Sequence, residues 1–292
     1  MKLKAVVIFN PFSGKNKTSN LNELIFKNID SEKFDVQVWP TEKADDLILL
    51  TETAIKNKVD VIIAAGGDGT INQIASRIVN TGILLGIIPL GSGNGFARHF
   101  KIPINTEKAI QSLALAKPKL IDTVWLNRHC MVNIGGIGFD AHISALFANN
   151  KKRGLIGYIK TILNQTNYKS QVYTIYQFDK MIWTGNAFMI SIANATQWGN
   201  NVKVHAGAMP DDGLFNIVIV KKFSTLSVPF LMKNLLEGRL HQNRNSVTFT
   251  GTDFVIKRET DGPVHVDGEP IWLGKEINVN IEPLSLNILS NE

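Results

Sequence analysis

One hand-over recurs through the first 122 residues and limits what this chain can fold into. A compact apolar run passes into a glycine-bearing loop, and in the clearest case a helical stripe follows. Ala5 to Phe9 leads into NPFSGK, Val59 to Ala65 into GGDGT, and Ile83 to Leu90 into GSGNG. Short β-branched runs of this kind read as buried strands. Ile71, Ile74, Ala75 and Ile78 then recur as one helix face. Leu21, Leu24 and Ile25 make a second stripe, and Ala44, Leu47, Ile48, Thr51 and Ile55 a third. Phe34, Val36 and Val38 alternate as a strand. This βαβα order predicts a parallel sheet with helices on its faces. Its strand C-termini share one edge, so the three glycine loops converge where open α/β sheets bind ligands.

After Asp122 the period changes. TVWLN, HCMVNIG, QVYTIYQF, NAFMISIANA, FNIVIVKK, SVTFTG, FVIKRE and PVHVDG are strand-like, with Asn, Gly, Asp and Pro in the turns between them. Helical patterns are few, about Tyr158 to Gln165 and Leu226 to Leu240. The second half is therefore expected to be all-β, a sandwich of antiparallel strands, and the fold class α/β plus all-β. With no repeat or low-complexity linker, the boundary near Asp122 rests on the change of period alone.

Composition removes several classes of function. Cys130 is the single cysteine, which excludes an internal disulfide framework and a Cys-rich zinc site. The six histidines show no metal-ligand spacing. The net charge of +6 splits evenly, 15 basic against 12 acidic residues up to Asp122 and 16 against 13 beyond it. No basic arm stands out, so nucleic acid is not expected as a partner. No apolar stretch reads as a signal peptide or a bilayer span, which gives a cytoplasmic expectation.

The glycine loops carry the chemistry. Glycine lets backbone approach a ligand closely, and a following helix offers free N–H groups to phosphate. Neither GxxxxGK[ST] nor GxGxxG is present, so P-loop and Rossmann readings lose ground. Asp68, inside GGDGT, is the odd residue, because a carboxylate repels phosphate unless a cation lies between them. A Mg²⁺ bridge to nucleotide phosphates is one explanation, a base for a hydroxyl a second, and a carboxylate that merely braces the turn a third.

NPFSGK, AAGGDGTINQIA and PLGSGNGFAR, in this order and spacing, resemble the diacylglycerol kinase catalytic family, which includes sphingosine and ceramide kinases. IGGIGFDA, MPDDGLFNI and VHVDGEP are similar to that family's later blocks, so the resemblance runs from about Lys4 to Leu289. GGDGT alone is less specific, since NAD kinases carry it too. The resemblance implies a phosphofructokinase-like α/β nucleotide domain over residues 1–122 and a β-sandwich substrate domain over 123–283. A last strand, about 284–292, is expected to return to the first domain. ATP and Mg²⁺ are the implied cofactors. Asn10, Ser13, Gly14 and Thr41 would approach the nucleotide. Gly66, Gly67, Asp68, Gly69, Thr70 and Asn72 would form the phosphate loop and helix start, and Ser92 would match a hydroxyl position of the third loop.

By the same resemblance Asp212, with the carbonyls of Met209 and Leu214, corresponds to an extra Mg²⁺ site, although DDG by itself reads as a turn. Glu269 in DGEP corresponds to the proton acceptor for the attacking hydroxyl, with Asp68 as phosphate organiser or alternative base. Asp140 in GFDA corresponds to a lipid head-group contact, or else ends a strand or caps a helix from Ala141. The chain departs from many bacterial members where Gly95 follows Asn94 in place of an aspartate. The implied activity is phosphorylation of the primary hydroxyl of a diacylglycerol-, sphingoid- or ceramide-like lipid. A kinase for NAD or another soluble alcohol, and a catalytically weak binding protein, are the rivals. The implied partner is a lipid at the membrane surface, reached transiently, and a homodimer is left open. In VPFLMKNLLEGRL, Val228, Leu231, Leu235 and Leu236 make a core-facing stripe, with membrane contact the second reading.

Overall fold

The computed structural model describes residues 2–11, 20–43, 45–148, 168–224 and 227–291. Ser13 and Gly14, the expected helix from Tyr158 to Gln165, and Leu226 lie outside the described residues. The chain divides into two compact units, Met1–Ile121 with Leu284–Glu292, and Asp122–Pro283.

The first unit opens with β1 (Leu3–Phe9), α1 (Leu21–Asn28), β2 (Phe34–Pro40), α2 (Asp46–Lys56), β3 (Val61–Gly66) and α3 (Asp68–Ile78). It continues with β4 (Leu84–Pro89), α4 (Gly95–His99), α5 (Thr106–Ser112) and the start of β5 (Lys117–Leu126). Strand β1 pairs in parallel with β2 and β3, and β3 with β4. All six residues of β3 are buried, as its unbroken apolar run requires of a central strand covered on both faces. Ile71, Ile74, Ala75 and Ile78 are buried on one side of α3. Periodicity did not mark α5. Its signal is Asn105, whose side chain accepts the N–H of Lys108 as an N-cap.

The second unit holds β6 (His129–Met131), β7 (Ile134–Gly138), α6 (Phe139–Ala148), β8 (Gln171–Gln177), β9 (Lys180–Ala193), β10 (Gln197–Gly199) and β11 (Val202–Lys203). There follow β12 (Phe215–Lys221), α7 (Val228–Leu236), β13 (Ser246–Gly251), β14 (Asp253–Arg258), β15 (Gly262–Val266), β16 (Glu269–Leu273) and β17 (Glu276–Ser290). Every pairing described within this unit is antiparallel, with β9 bonded to β7, β8 and β12. The period of two sorts side chains onto two cores. Phe215, Ile217 and Ile219 of β12 join a cluster with Ile190, Phe254 and Val264. Val218 and Val220 face the other way, among Phe139, Ile143, Leu231 and Leu235 of the two helices. Cys130 is core, and burial pushes its thiol pKa up.

Two boundaries differ from the sequence reading. The expected Leu226–Leu240 helix is α7 over Val228–Leu236, followed by a 3-10 turn at Leu240–Gln242. Gly238, at φ 72, takes the left-handed conformation that stops a helix. Helix α6 begins at Phe139, so Asp140 lies in its first turn instead of preceding it.

Candidate active site

In the first unit the parallel register sets Phe9 beside Pro40 and Ala65, and Gly66 beside Pro89. Asn10, Thr41, the GGDGT loop and the GSGNG loop with Ser92 therefore leave the sheet at one edge. Thr41 is buried there, and its N–H donates to Phe9 O at 2.9 Å. The glycines are explained by loop against loop. A Cβ on Gly91 would lie 2.6 Å from the Gly67 Cα, and one on Gly66 would strike the Thr70 side chain. Gly67, the N-cap of α3, offers no side-chain cap; the Asp68 N–H faces its own carboxylate, and Gly69 and Thr70 follow in the first turn, where N–H groups suit an external acceptor. Asn72 lies one turn further along and is half-buried.

Asp68 does more than sit near this helix start. Its Oδ1 accepts the Phe96 N–H at 3.1 Å, at the beginning of α4. Burial raises its pKa, opposed by the amides of Phe96, Gly95 and Asn94. The carboxylate thus ties GGDGT to GSGNG. Asn94, buried at φ 51, donates Nδ2 to Gly91 O at 2.9 Å, while its Oδ1 is a buried acceptor with no hydrogen bond. Arg98 Nε closes the loop on Gly93 O at 3.1 Å.

In the second unit Glu269 opens β16, opposite Val266 across a two-residue turn. Asp267 and Gly268, at φ 49 and 89, are the positive-φ pair that such hairpins demand, and Asp-Gly is a preferred sequence for it. Glu269 itself is exposed. Asp267 is buried, and its carboxylate accepts the N–H groups of Val132, Asn133 and Ile134, each at 2.9 Å. The turn that presents Glu269 is thereby fixed to the strand leading into α6.

Asp140 lies behind that turn. His265, Gly136 and Ser191 form a row across three neighbouring strands, by the pairings His265–Gly136 and Gly136–Ser191. Gly136 leaves the space above it empty, and the Asp140 carboxylate occupies it; a Cβ on Gly136 would collide with Asp140 and His265. Asp140 Oδ2 accepts Ser191 Oγ at 3.3 Å and lies 3.0 Å from His265 Nε2, off the line of the ring N–H. His265 Nδ1 accepts the Gly268 N–H at 3.2 Å, which leaves Nε2 as the ring atom nearer Asp140. His265 thus stands between Asp140 and the Gly268 amide, in the turn just before Glu269. His265 and Ser191 were not singled out from the sequence, and Asp267 drew notice only as the neighbour of Glu269. The available signal was a histidine between two core valines, which must face away from them.

Met209, Asp212 and Leu214 belong to a separate turn of this unit. Asp212, exposed, accepts the Leu214 N–H at 3.0 Å, and buried Asp122 accepts that of Gly213 at 2.8 Å. Gly213, at φ 73, completes the turn. Among the described residues no cluster of three or more His, Cys, Asp or Glu is poised for a metal.

Residues 4–126 match the diacylglycerol kinase catalytic domain, and residues 134–290 match the YegS C-terminal domain, described as NAD kinase beta sandwich-like. A Yersinia pestis protein named "Probable lipid kinase YegS-like" is 29% identical over 265 residues, 88% of each chain. A solved structure of a diacylglycerol kinase from Bacillus anthracis superposes with a TM-score of 0.79 at 22% identity, over 99% of this chain and 97% of that one. An NAD kinase from Archaeoglobus fulgidus, solved with ATP, shares the fold more distantly, with a TM-score of 0.55 at 12% identity over 99% and 94%.

Proposed function

The chain belongs to the diacylglycerol kinase catalytic-domain family, with the YegS type of C-terminal domain, and from that premise we propose that it is an ATP- and Mg²⁺-dependent lipid kinase. Its acceptor would be the primary hydroxyl of a diacylglycerol-, sphingoid- or ceramide-like lipid. The observation that supports this reading is the match to both domains, 4–126 and 134–290, so that a YegS-type second domain accompanies the diacylglycerol kinase phosphate loop.

The first unit fits nucleotide phosphates. The uncapped start of α3 presents N–H groups, and Gly66, Gly67 and Gly91 keep side chains out of the way. Asn10 and Thr41, at the same edge, would take the rest of the nucleotide. For Mg²⁺ the loop offers oxygen donors, the Asp68 carboxylate and the buried, unbonded Asn94 Oδ1, which is the donor class a hard cation takes. A bound Mg²⁺ would neutralise phosphate charge. Asp212, with the Met209 and Leu214 carbonyls, would hold a second, structural ion.

In the second unit Glu269, exposed on a fixed hairpin, would accept the proton of the attacking hydroxyl. Asp140 would set acceptor geometry through His265. Phosphoryl transfer asks mainly for positioning and charge neutralisation, and these groups supply both. The reading also places the protein at the membrane surface transiently; among the described residues no helix is long and apolar enough to cross one.

The test is transfer of labelled γ-phosphate from ATP to a panel of detergent-dispersed diacylglycerols, sphingoid bases and ceramides, with NAD as soluble control. Labelling of at least one lipid, dependent on Mg²⁺, is the expected outcome. Labelling of NAD and of no lipid would replace this reading with a soluble-alcohol kinase.

A further inference from the structure

Among its described side chains, helix α7 buries one side. Leu231 and Leu235 pack into the core with Val202, Val204 and Val218. On a 100° wheel the exposed residues fill one continuous arc: Leu236, Pro229, Lys233, Glu237 and Phe230. Phe230 is 66% exposed and Leu236 54%. An arc whose two ends are an exposed leucine and an exposed aromatic, with Lys233 and Glu237 between them, does not suit a surface that faces only water.

The surrounding charge says what covers it. Residues 221–245 carry Lys221, Lys222, Lys233, Arg239 and Arg244 against the single acid Glu237. Glu237 lies 3.8 Å from Lys233 and 3.7 Å from Arg239, at exposed positions where such pairs are weak. Beside Phe230 a groove of about 300 Å³ is lined by Ser227, Asn234, Gln242, Asn243 and Arg244, donors and one cation suited to an anionic or polyol head group. Apolar tips within a basic rim are complementary to an anionic bilayer surface, with rings and aliphatics below the head groups and cations among them.

We propose that the exposed arc of α7, with Phe230 and Leu236 inserted and Lys233, Arg239 and Arg244 on the head groups, is the surface by which this protein docks on anionic membranes. The inference deepens the lipid-kinase reading by naming where the enzyme meets its substrate's bilayer, and it rests on that reading for its purpose. The binding itself is measurable without catalysis.

Co-sedimentation of the full chain, without ATP, with phosphatidylglycerol–phosphatidylcholine vesicles and with pure phosphatidylcholine vesicles tests it. The wild type should prefer the anionic vesicles. Phe230→Ser with Leu236→Ser should lower partitioning by roughly 10-fold or more, the scale of one withdrawn aromatic side chain. Lys233→Glu with Arg239→Glu should abolish the preference for anionic over neutral vesicles. Activity on detergent-dispersed lipid should stay within about twofold of wild type in both, since exposed surface substitutions alter little. Because these side chains are exposed, melting curves should match and exclude misfolding as the cause. Wild-type partitioning by the Phe230/Leu236 double variant would overturn the proposal. So would a shift from dimer to monomer in light scattering with vesicle binding unchanged, which would assign the arc to a second copy of the chain. Vesicle binding with no lipid phosphorylated in micelles would instead remove the kinase reading and leave the surface standing.

Discussion

At the residue scale, the carboxylates have two duties that the sequence cannot separate. Asp68 was legible as an anomaly in a phosphate loop, but not its bond to Phe96, because 28 residues separate the two and nothing local marks the pair. Its raised pKa means that the folded state holds the proton more tightly than the unfolded chain does. Ionised Asp68 therefore opposes folding above an unfolded pKa of about 3.9, and the penalty disappears as pH falls below it. Asp68→Asn should raise the melting temperature at pH 7, with the gain shrinking toward pH 4, while turnover falls by roughly 100-fold or more. A lower melting temperature at pH 7 would show that the bond to Phe96 outweighs desolvation. Glu269 was legible only through the family block, since an exposed glutamate after Asp-Gly is otherwise an ordinary hairpin residue. Glu269→Gln should cost turnover on the same scale without moving the melting temperature, being exposed. His265 separates positioning from packing. His265→Gln keeps a polar side chain against Asp140 and should lower kcat by roughly 10-fold while KM for ATP stays unchanged. Equal losses in both would mean a general collapse of the unit.

At the element scale, periodicity located the strands and long helices because burial on one or two faces leaves a period in the sequence. It missed α5, whose apolar face is short, and overran α7, whose stripe continues past a glycine stop. The row His265–Gly136–Ser191 was illegible for another reason, since register between distant strands leaves no local trace. Two glycines test what the loops require. At Gly91 a Cβ would sit 2.6 Å from the Gly67 Cα and 2.7 Å from Asn94 Oδ1, and the nearest obstacle is backbone that cannot swing aside. Gly91→Ala should destabilise by roughly 1–3 kcal/mol as overpacking, and ATP binding should weaken with it. At Gly268 nothing lies within 4 Å of an added Cβ, so the φ of 89 is the whole constraint. Gly268→Ala should cost about 1 kcal/mol, and Gly268→Asn less, because asparagine tolerates left-handed backbone. Urea midpoints with unchanged slopes read both. Equal penalties for Ala and Asn at 268 would point to a contact other than backbone conformation.

At the scale of the whole chain, the first unit depends on its last residues. Leu284–Glu292 group with Met1–Ile121, and Asn287 and Ile288 pair in parallel with Leu84 and Leu85. This return followed from the family resemblance and not from any pattern, since a pairing across about 200 residues has no sequence signature. Leu284, at φ 48, is a left-handed residue inside β17, where its residues pass from one unit to the other. Beyond it Leu286, Ile288 and Leu289 are buried, and the Ser285 carbonyl accepts the Asn80 N–H at 2.8 Å. Each buried aliphatic contributes about 1.5–3 kcal/mol, so the three together rival the net stability of a typical domain, roughly 5–15 kcal/mol. Loss of the strand also opens the hydrogen-bonding edge of β4, a template for aggregation. A chain ending at Pro283 should therefore lose ATP binding and either aggregate or melt well below the full chain. The substitution Leu286→Ala with Ile288→Ala, which keeps the backbone pairing, should fall between the two in a thermal melt. If the truncated chain bound ATP and melted within a few degrees of the full one, the first unit would be stable without β17, and its parallel sheet would end at β4.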